Sequence, residues 1–197
     1  MWRTTLENKL VPWAIDGAQL GDDALEIGPG PGLTTEILRR HVLQLTVLEL
    51  DHELANTLRV KTDWSNVRVV EGDATHMPFP DRSFSAAAAF TVLHHVPSAE
   101  LQDRLFAEAL RILRPGGMFL GIDSRMSWEM RLIHIFDTLV CIDPATLKTR
   151  LEAVGFEQVQ IECEDRRFRF RARKPRLAAK PGIPELEDIS ASHAGIS

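Results

Sequence analysis

The chain has no tyrosine and only two cysteines, Cys141 and Cys163, among its 197 residues. The first absence removes one common hydroxyl for orienting a substrate. The two cysteines are too far apart for any metal-ligand spacing, so both are expected as buried, unpaired thiols in a reducing compartment. No apolar run approaches the roughly 20 residues of a membrane span. The first 15 residues, broken by Arg3, Glu7, Lys9 and Pro12, do not read as a signal peptide. These absences predict a soluble, cytoplasmic protein with no membrane insertion and no metal site. Positive charge is scarce as well, with a formal net charge of −5. Eight bases and no acid fall between residues 166 and 180, so the rest of the chain carries about −13, some 15 bases against 28 acids. Such a body is a poor general surface for nucleic acid.

What is present suffices for one full-sized core, at 44% hydrophobic residues. The organising stretch is residues 24–51, ALEIGPGPGLTTEILRRHVLQLTVLELD. It reads as strand, glycine-rich turn, helix, and a second strand ending in acid, which is a βαβ unit with a nucleoside-type site at its crevice. Thr34 or Thr35 is expected to cap the helix, which is read to about residue 42. Residues 4–20 suggest a short helix interrupted near Pro12.

Downstream the pattern repeats. Asp51 is a plausible N-cap for a helix over 52–61, and residues 67–70 form a third strand ending in Glu71-Gly72-Asp73. The prolines of Met77-Pro78-Phe79-Pro80 exclude a regular element. Residues 84–90 make a small-residue fourth strand, and His94 and His95 stand in the loop after it. Ser98 is expected to cap a helix through residue 113, with Leu101, Leu105, Leu110 and Leu113 inward. Arg114-Pro115-Gly116-Gly117 stops it, and a fifth strand covers 118–122. Short strands apolar on both faces, alternating with helices, predict a doubly wound, mostly parallel sheet of α/β class.

The C-terminal third differs. A helix is expected over 128–140, and Asp143-Pro144 opens another that Gly155 ends. Strands over 158–162 and 167–173 form an antiparallel hairpin, which gives a seven-stranded, three-layer αβα fold. In the second of them Phe168, Phe170 and Ala172 alternate with Arg167, Arg169, Arg171 and Arg173, which places the arginines outward. The domain is read as residues 1–174, and residues 175–197, without periodicity, as a disordered tail.

A diphosphate is a poor ligand for the glycine loop. Its third glycine comes one position early for the dinucleotide fingerprint, where Leu33 stands instead. Pro29 and Pro31 also remove two N–H donors. A nucleoside without phosphates suits it better, with Glu49 accepting from ribose hydroxyls and Asp73 from an adenine amine.

The blocks ALEIGPGPG, VLELD, VEGDATHMPFPDRSF, FTVLHHV and LRILRPGGMFLGID occur in order between residues 20 and 174. In order and spacing the chain resembles the class I S-adenosylmethionine-dependent methyltransferases, which close their parallel sheet with a C-terminal antiparallel strand. The resemblance implies S-adenosyl-L-methionine as cofactor and S-adenosyl-L-homocysteine as product. Glu26, Gly28, Gly30 and Gly32 would surround the methionine moiety. Glu49, with Leu50 beside it, would hold the ribose, Asp73 and the Ala74 N–H would read adenine, and Phe90 would lie near the reactive face. Met77 is a candidate to pack on the adenine.

The methyl group is already activated in this class, so alignment and exclusion of water suffice. His94 and His95 are the candidate catalytic bases, weighed against a loop-ordering role. Asp123 faces either the acceptor or the next loop as a cap. His134 and Asp137 read as a surface pair rather than a metal site. The expected partner is a small-molecule or lipid-like acceptor rather than nucleic acid, under a thin lid built from the N-terminal helix and residues 124–142, near Trp13, Met126, Trp128 or Met130. The alternatives are an RNA or protein methyltransferase using the basic strand 166–176, a nicotinamide-dependent oxidoreductase, and a non-catalytic S-adenosylmethionine-binding domain. No asparagine-proline-aromatic motif follows the fourth strand, where Phe90-Thr91-Val92-Leu93 stands.

Overall fold

A computed structural model describes residues 2–61, 64–125 and 140–176. The expected helix over 128–140, with Met126, Trp128, Met130, His134 and Asp137, lies outside the described residues, as do residues 177–197.

The strands are β1 (Asp23–Ile27), β2 (Gln44–Glu49), β3 (Val67–Glu71), β4 (Phe84–Phe90), β5 (Leu113–Ser124), β6 (Glu157–Cys163) and β7 (Arg167–Arg173). Among the described residues they form one seven-stranded sheet in the order β3-β2-β1-β4-β5-β7-β6. The first five are parallel, and β7 runs antiparallel to both β5 and β6. The doubly wound sheet closed by a C-terminal hairpin is therefore as expected. Chain order reverses between β1's two neighbours, β2 and β4, so the crevice at their carboxyl ends is where this topology binds ligands.

Helices α1 (Trp2–Thr5) and α2 (Val11–Ile15) frame a π-turn at Leu6–Leu10. The Val11 N–H reaches five residues back, to the Leu6 carbonyl. This widening accommodates Pro12, which has no N–H to continue the normal ladder. The segment stays helical through the proline instead of breaking there. Leu6, Leu10, Val11 and Ala14 pack on the sheet face formed by Ala86, Ala88, Phe90, Met118, Leu120 and Ile122.

Among the described residues the remaining α-helices are α3 (Leu33–Leu38), α4 (His52–Arg59), α5 (Ala99–Ile112) and α6 (Pro144–Val154). The side chains of Asp51, Ser98 and Asp143 accept the N–H groups of Leu54, Leu101 and Ala145 and so cap α4, α5 and α6. Gly155 ends α6 in the left-handed region at φ 116°. The inward face of α5 runs through Leu105, Phe106, Ala109 and Ile112, one step around from the expected one. With α6 it covers the other sheet face, where Phe119 meets Phe170 and Phe156 at ring distances of 5.0 and 5.6 Å. Each such buried ring contributes about 1.5–3 kcal/mol.

Three local expectations change. α3 stops at Leu38 and starts from Gly32, not from a threonine cap. β5 begins at Leu113, because Arg114-Pro115-Gly116-Gly117 bulges yet stays paired through Gly116 N–H to Lys174 O and Lys174 N–H to Gly117 O, both 2.9 Å. The thiols are free, but Cys163 is exposed on the edge strand and Cys141 half-buried. Among the described residues no helix is long and apolar enough to cross a membrane.

Candidate active site

The glycine loop leaves β1 at the switch point, and its backbone donors are all spent within the protein. Gly28 N–H goes to Leu48 O at 2.9 Å and Gly32 N–H to Pro29 O at 3.0 Å. Gly30 N–H goes to Glu49 Oε2 at 3.0 Å. Pro29 and Pro31 have none. A diphosphate would find no N–H cradle between residues 28 and 32, whereas the usual phosphate loop depends on one. The loop presents glycine surface instead: a β-carbon at Gly30 would meet nothing within 4 Å.

The loop is pinned from behind. Lys61 donates to Pro31 O at 2.9 Å and lies 4.2 Å over the Trp64 ring. Trp64 donates to Glu36 at 2.6 Å. Arg39, then Arg40 and Trp64, hold the Glu36 carboxyl well below the usual range against its partial burial. A β-carbon at Gly32 would strike Trp64 and Leu58 at 2.6 and 2.7 Å, so Gly32 serves packing behind the loop.

Across the crevice, Glu49 is 7% exposed and also accepts the Asp51 N–H at 3.0 Å. Each carboxylate oxygen thus takes one backbone donor and keeps acceptor capacity. Gly28, Gly30, Glu49, Leu50, Asp73, Ala74, Phe90 and His95 all line one cavity of about 790 Å³. That volume falls within the roughly 300–1,000 Å³ of small-molecule sites. Asp73 is exposed at the rim and folds back on Thr75, accepting its N–H at 2.7 Å and its hydroxyl at 2.9 Å. Three acids, Glu49, Asp51 and Asp73, line it from the ends of β2 and β3, while Leu6, Val92, Val96, Leu101 and Leu105 supply apolar lining.

Glu26, Gly32 and His94 are not on that wall. Glu26 is 1% exposed, and the hydroxyls of Thr34 and Thr35 donate to its two carboxylate oxygens, Thr35 at 2.6 Å. The threonines expected as helix caps therefore solvate a buried carboxylate, and Thr34 carries the contact to the cavity. Burial pushes the Glu26 carboxyl up from 4.5 to about 7, opposed by the two hydroxyl bonds and reinforced by the charge of Glu49. Between those two values the fold holds a proton that the unfolded chain has lost, so stability falls as pH rises through the window. At roughly 1.4 kcal/mol per pH unit the loss is about 3 kcal/mol. Chemical denaturation of wild type and Glu26→Gln at pH 5 and pH 8 checks this: the variant should lack the wild-type loss, and parallel profiles would place the proton elsewhere.

His94 is buried behind the loop after β4. Its Nδ1 lies 2.5 Å from Asp123 Oδ1, its backbone N–H donates to Asp123 Oδ2 at 3.2 Å, and its ring centroid is 4.2 Å from that of His95. Asp123 is 1% exposed, so it faces His94 and not a ligand. Met77 packs in the core beside Phe79, away from the cavity wall. The four arginines expected outward on β7 are half-buried, and two of them, Arg169 and Arg171, reach carbonyls of the N-terminal helix.

A Rossmann-like sheet, a glycine loop whose N–H groups are all spent and an acid at the tip of β2 fit a nucleoside cofactor without phosphates. Residues 25–121 match the family described as Methyltransferase domain. A fatty-acid O-methyltransferase of Mycolicibacterium smegmatis is 32% identical over 56% of this chain and 40% of its own length. A probable S-adenosylmethionine-dependent methyltransferase of the same organism is 33% identical over 70% of this chain and 52% of its own. The chain thus spans about half the length of these curated relatives. A solved S-adenosylmethionine-dependent methyltransferase from Archaeoglobus fulgidus shares the fold at TM-score 0.71 and 16% identity, over 87% of this chain and 94% of that one. The matched domain, these relatives and the shared fold support a class I S-adenosylmethionine-dependent methyltransferase, with S-adenosylmethionine as its cofactor.

Proposed function

We propose that this chain transfers a methyl group from S-adenosylmethionine to a small, apolar or lipid-like acceptor. The observation that carries the reading is a glycine loop with no donor left for phosphate, facing a cavity lined by three acids and by apolar side chains. That lining suits a phosphate-free cofactor that is cationic at sulfur. Bound there, S-adenosylmethionine supplies an electrophilic methyl group that an aligned nucleophile takes by in-line displacement.

The chain's own residues have separate tasks. Gly28 and Gly30 let the backbone approach the cofactor closely, and Thr34, oriented by Glu26, offers a polar contact beside them. Glu49 accepts from the ribose hydroxyls, with Leu50 packed alongside, while Asp73 and the Ala74 N–H read the adenine. Phe90 and Val92 keep water from the reacting end. His95, on the cavity wall, receives the acceptor's proton where the acceptor has one to lose. His94, held by Asp123 and lying 4.2 Å from the His95 ring at a 40° tilt, orients that ring. An apolar acceptor agrees with the wall of Leu101, Leu105 and Val96, and the fatty-acid O-methyltransferase relative supports the same acceptor class.

The test is transfer of a labelled methyl group to lipid and small-molecule extracts, run against tRNA, rRNA and protein. Label in an organic-soluble small molecule is expected; label in RNA or protein alone would overturn the acceptor assignment.

A further inference from the structure

The basic run of β7 is the sequence feature that the cavity does not account for. Two of its arginines, Arg169 and Arg171, turn to the N-terminal helix instead of presenting a binding surface to solvent. Arg169 Nη1 donates to Trp13 O, and its guanidinium sits 5.1 Å over the Trp13 ring. Arg171 donates to Ala14 O from Nη2 at 2.9 Å and from Nε at 3.2 Å. Both groups meet the last carbonyls of α2, which have no partner within the helix and attract cations. Arg169 is itself anchored by two 2.6 Å bonds to Glu162 on β6, and its side chain is only 12% exposed. Lys9 adds a 3.0 Å bond to Glu164 at the hairpin turn. The C-terminal hairpin thus grips the N-terminal helix across more than 150 residues of sequence, and that helix carries Leu6 into the cavity wall.

We propose that Arg169 and Arg171 are positioning residues for the cavity: they latch the N-terminal helix so that Leu6 closes the wall. This rests on the cofactor reading above. If release leaves the helix docked only a tenth of the time, apparent affinity for a ligand that needs the closed wall falls about tenfold.

The experiment combines Arg169→Met/Arg171→Met, which keeps much of the apolar stem, with Leu6→Ala, which keeps the latch. Calorimetric titration with S-adenosylhomocysteine and hydrogen exchange are measured on the full chain. The double variant should bind about tenfold more weakly and exchange faster over residues 2–15, with β1, β2 and β4 as protected as in wild type. Leu6→Ala should lose affinity with residues 2–15 still protected, and Arg171→Lys, which retains one donor group, should recover part of the loss. Wild-type affinity in the double variant overturns the proposal. So does loss of protection throughout the sheet, which would make the arginines a general part of the fold. No binding by wild type would instead reject the cofactor assignment, leaving the exchange result to judge the latch.

Discussion

Glu49→Ala is expected to weaken S-adenosylhomocysteine binding by about 100-fold or more, with little change in the melting temperature. A charge-assisted hydrogen bond contributes roughly 1.5–3 kcal/mol, and Glu49 is assigned two toward the ribose. The substitution also removes the acceptor for the Gly30 and Asp51 N–H groups, both at 3.0 Å, so the loop and the tip of β2 lose their shared anchor. Glu49→Gln separates these contributions: its amide oxygen can still accept one N–H, so it should bind more tightly than the alanine variant and less tightly than wild type. Calorimetry reads both. Affinity within twofold of wild type for Glu49→Ala would remove Glu49 from the cofactor site.

Gly28→Ala should be nearly as damaging, through the backbone. Gly28 has φ +64°, where an L side chain costs about 1–2 kcal/mol. Its β-carbon would also come within 2.3 Å of Val92 Cγ2, which forces the loop after β4 away from the cavity. Overpacking of this kind typically adds about 1–3 kcal/mol. The variant should therefore lose stability and cofactor affinity together. Adding Val92→Ala relieves the clash but not the dihedral strain, so the double variant should recover only part of the stability by urea denaturation. Full recovery would show that the positive φ carries no cost, and no recovery would show that Val92 is not the obstacle.

The sheet was legible because each strand ends at a turn signal and each helix repeats at its own period. The loop was legible in what it lacks, since two prolines and an early third glycine already argued against a diphosphate. What escaped the sequence is contact across distance. Period-two alternation in β7 announced a two-faced strand, but not that the arginine face is covered by a helix 156 positions earlier in the chain. The same limit hid the role of Thr34 and Thr35. A usable signal was there: Glu26 sits in an apolar strand and must find donors, and two hydroxyls arrive eight and nine residues later. His94 and His95 are adjacent in sequence, and nothing in the sequence distinguishes the ring held by Asp123 from the ring on the cavity wall. Arg114-Pro115-Gly116-Gly117 read as a stop because its pairing partner, Lys174, lies in the hairpin and not beside it in sequence.

The most direct test of the cofactor assignment is a calorimetric titration of the wild-type chain with S-adenosylhomocysteine and, in parallel, with NAD. One equivalent of S-adenosylhomocysteine should bind and NAD should give no binding heat, because the loop between residues 28 and 32 has no N–H left for a diphosphate. Saturable binding of NAD without binding of S-adenosylhomocysteine would contradict the account.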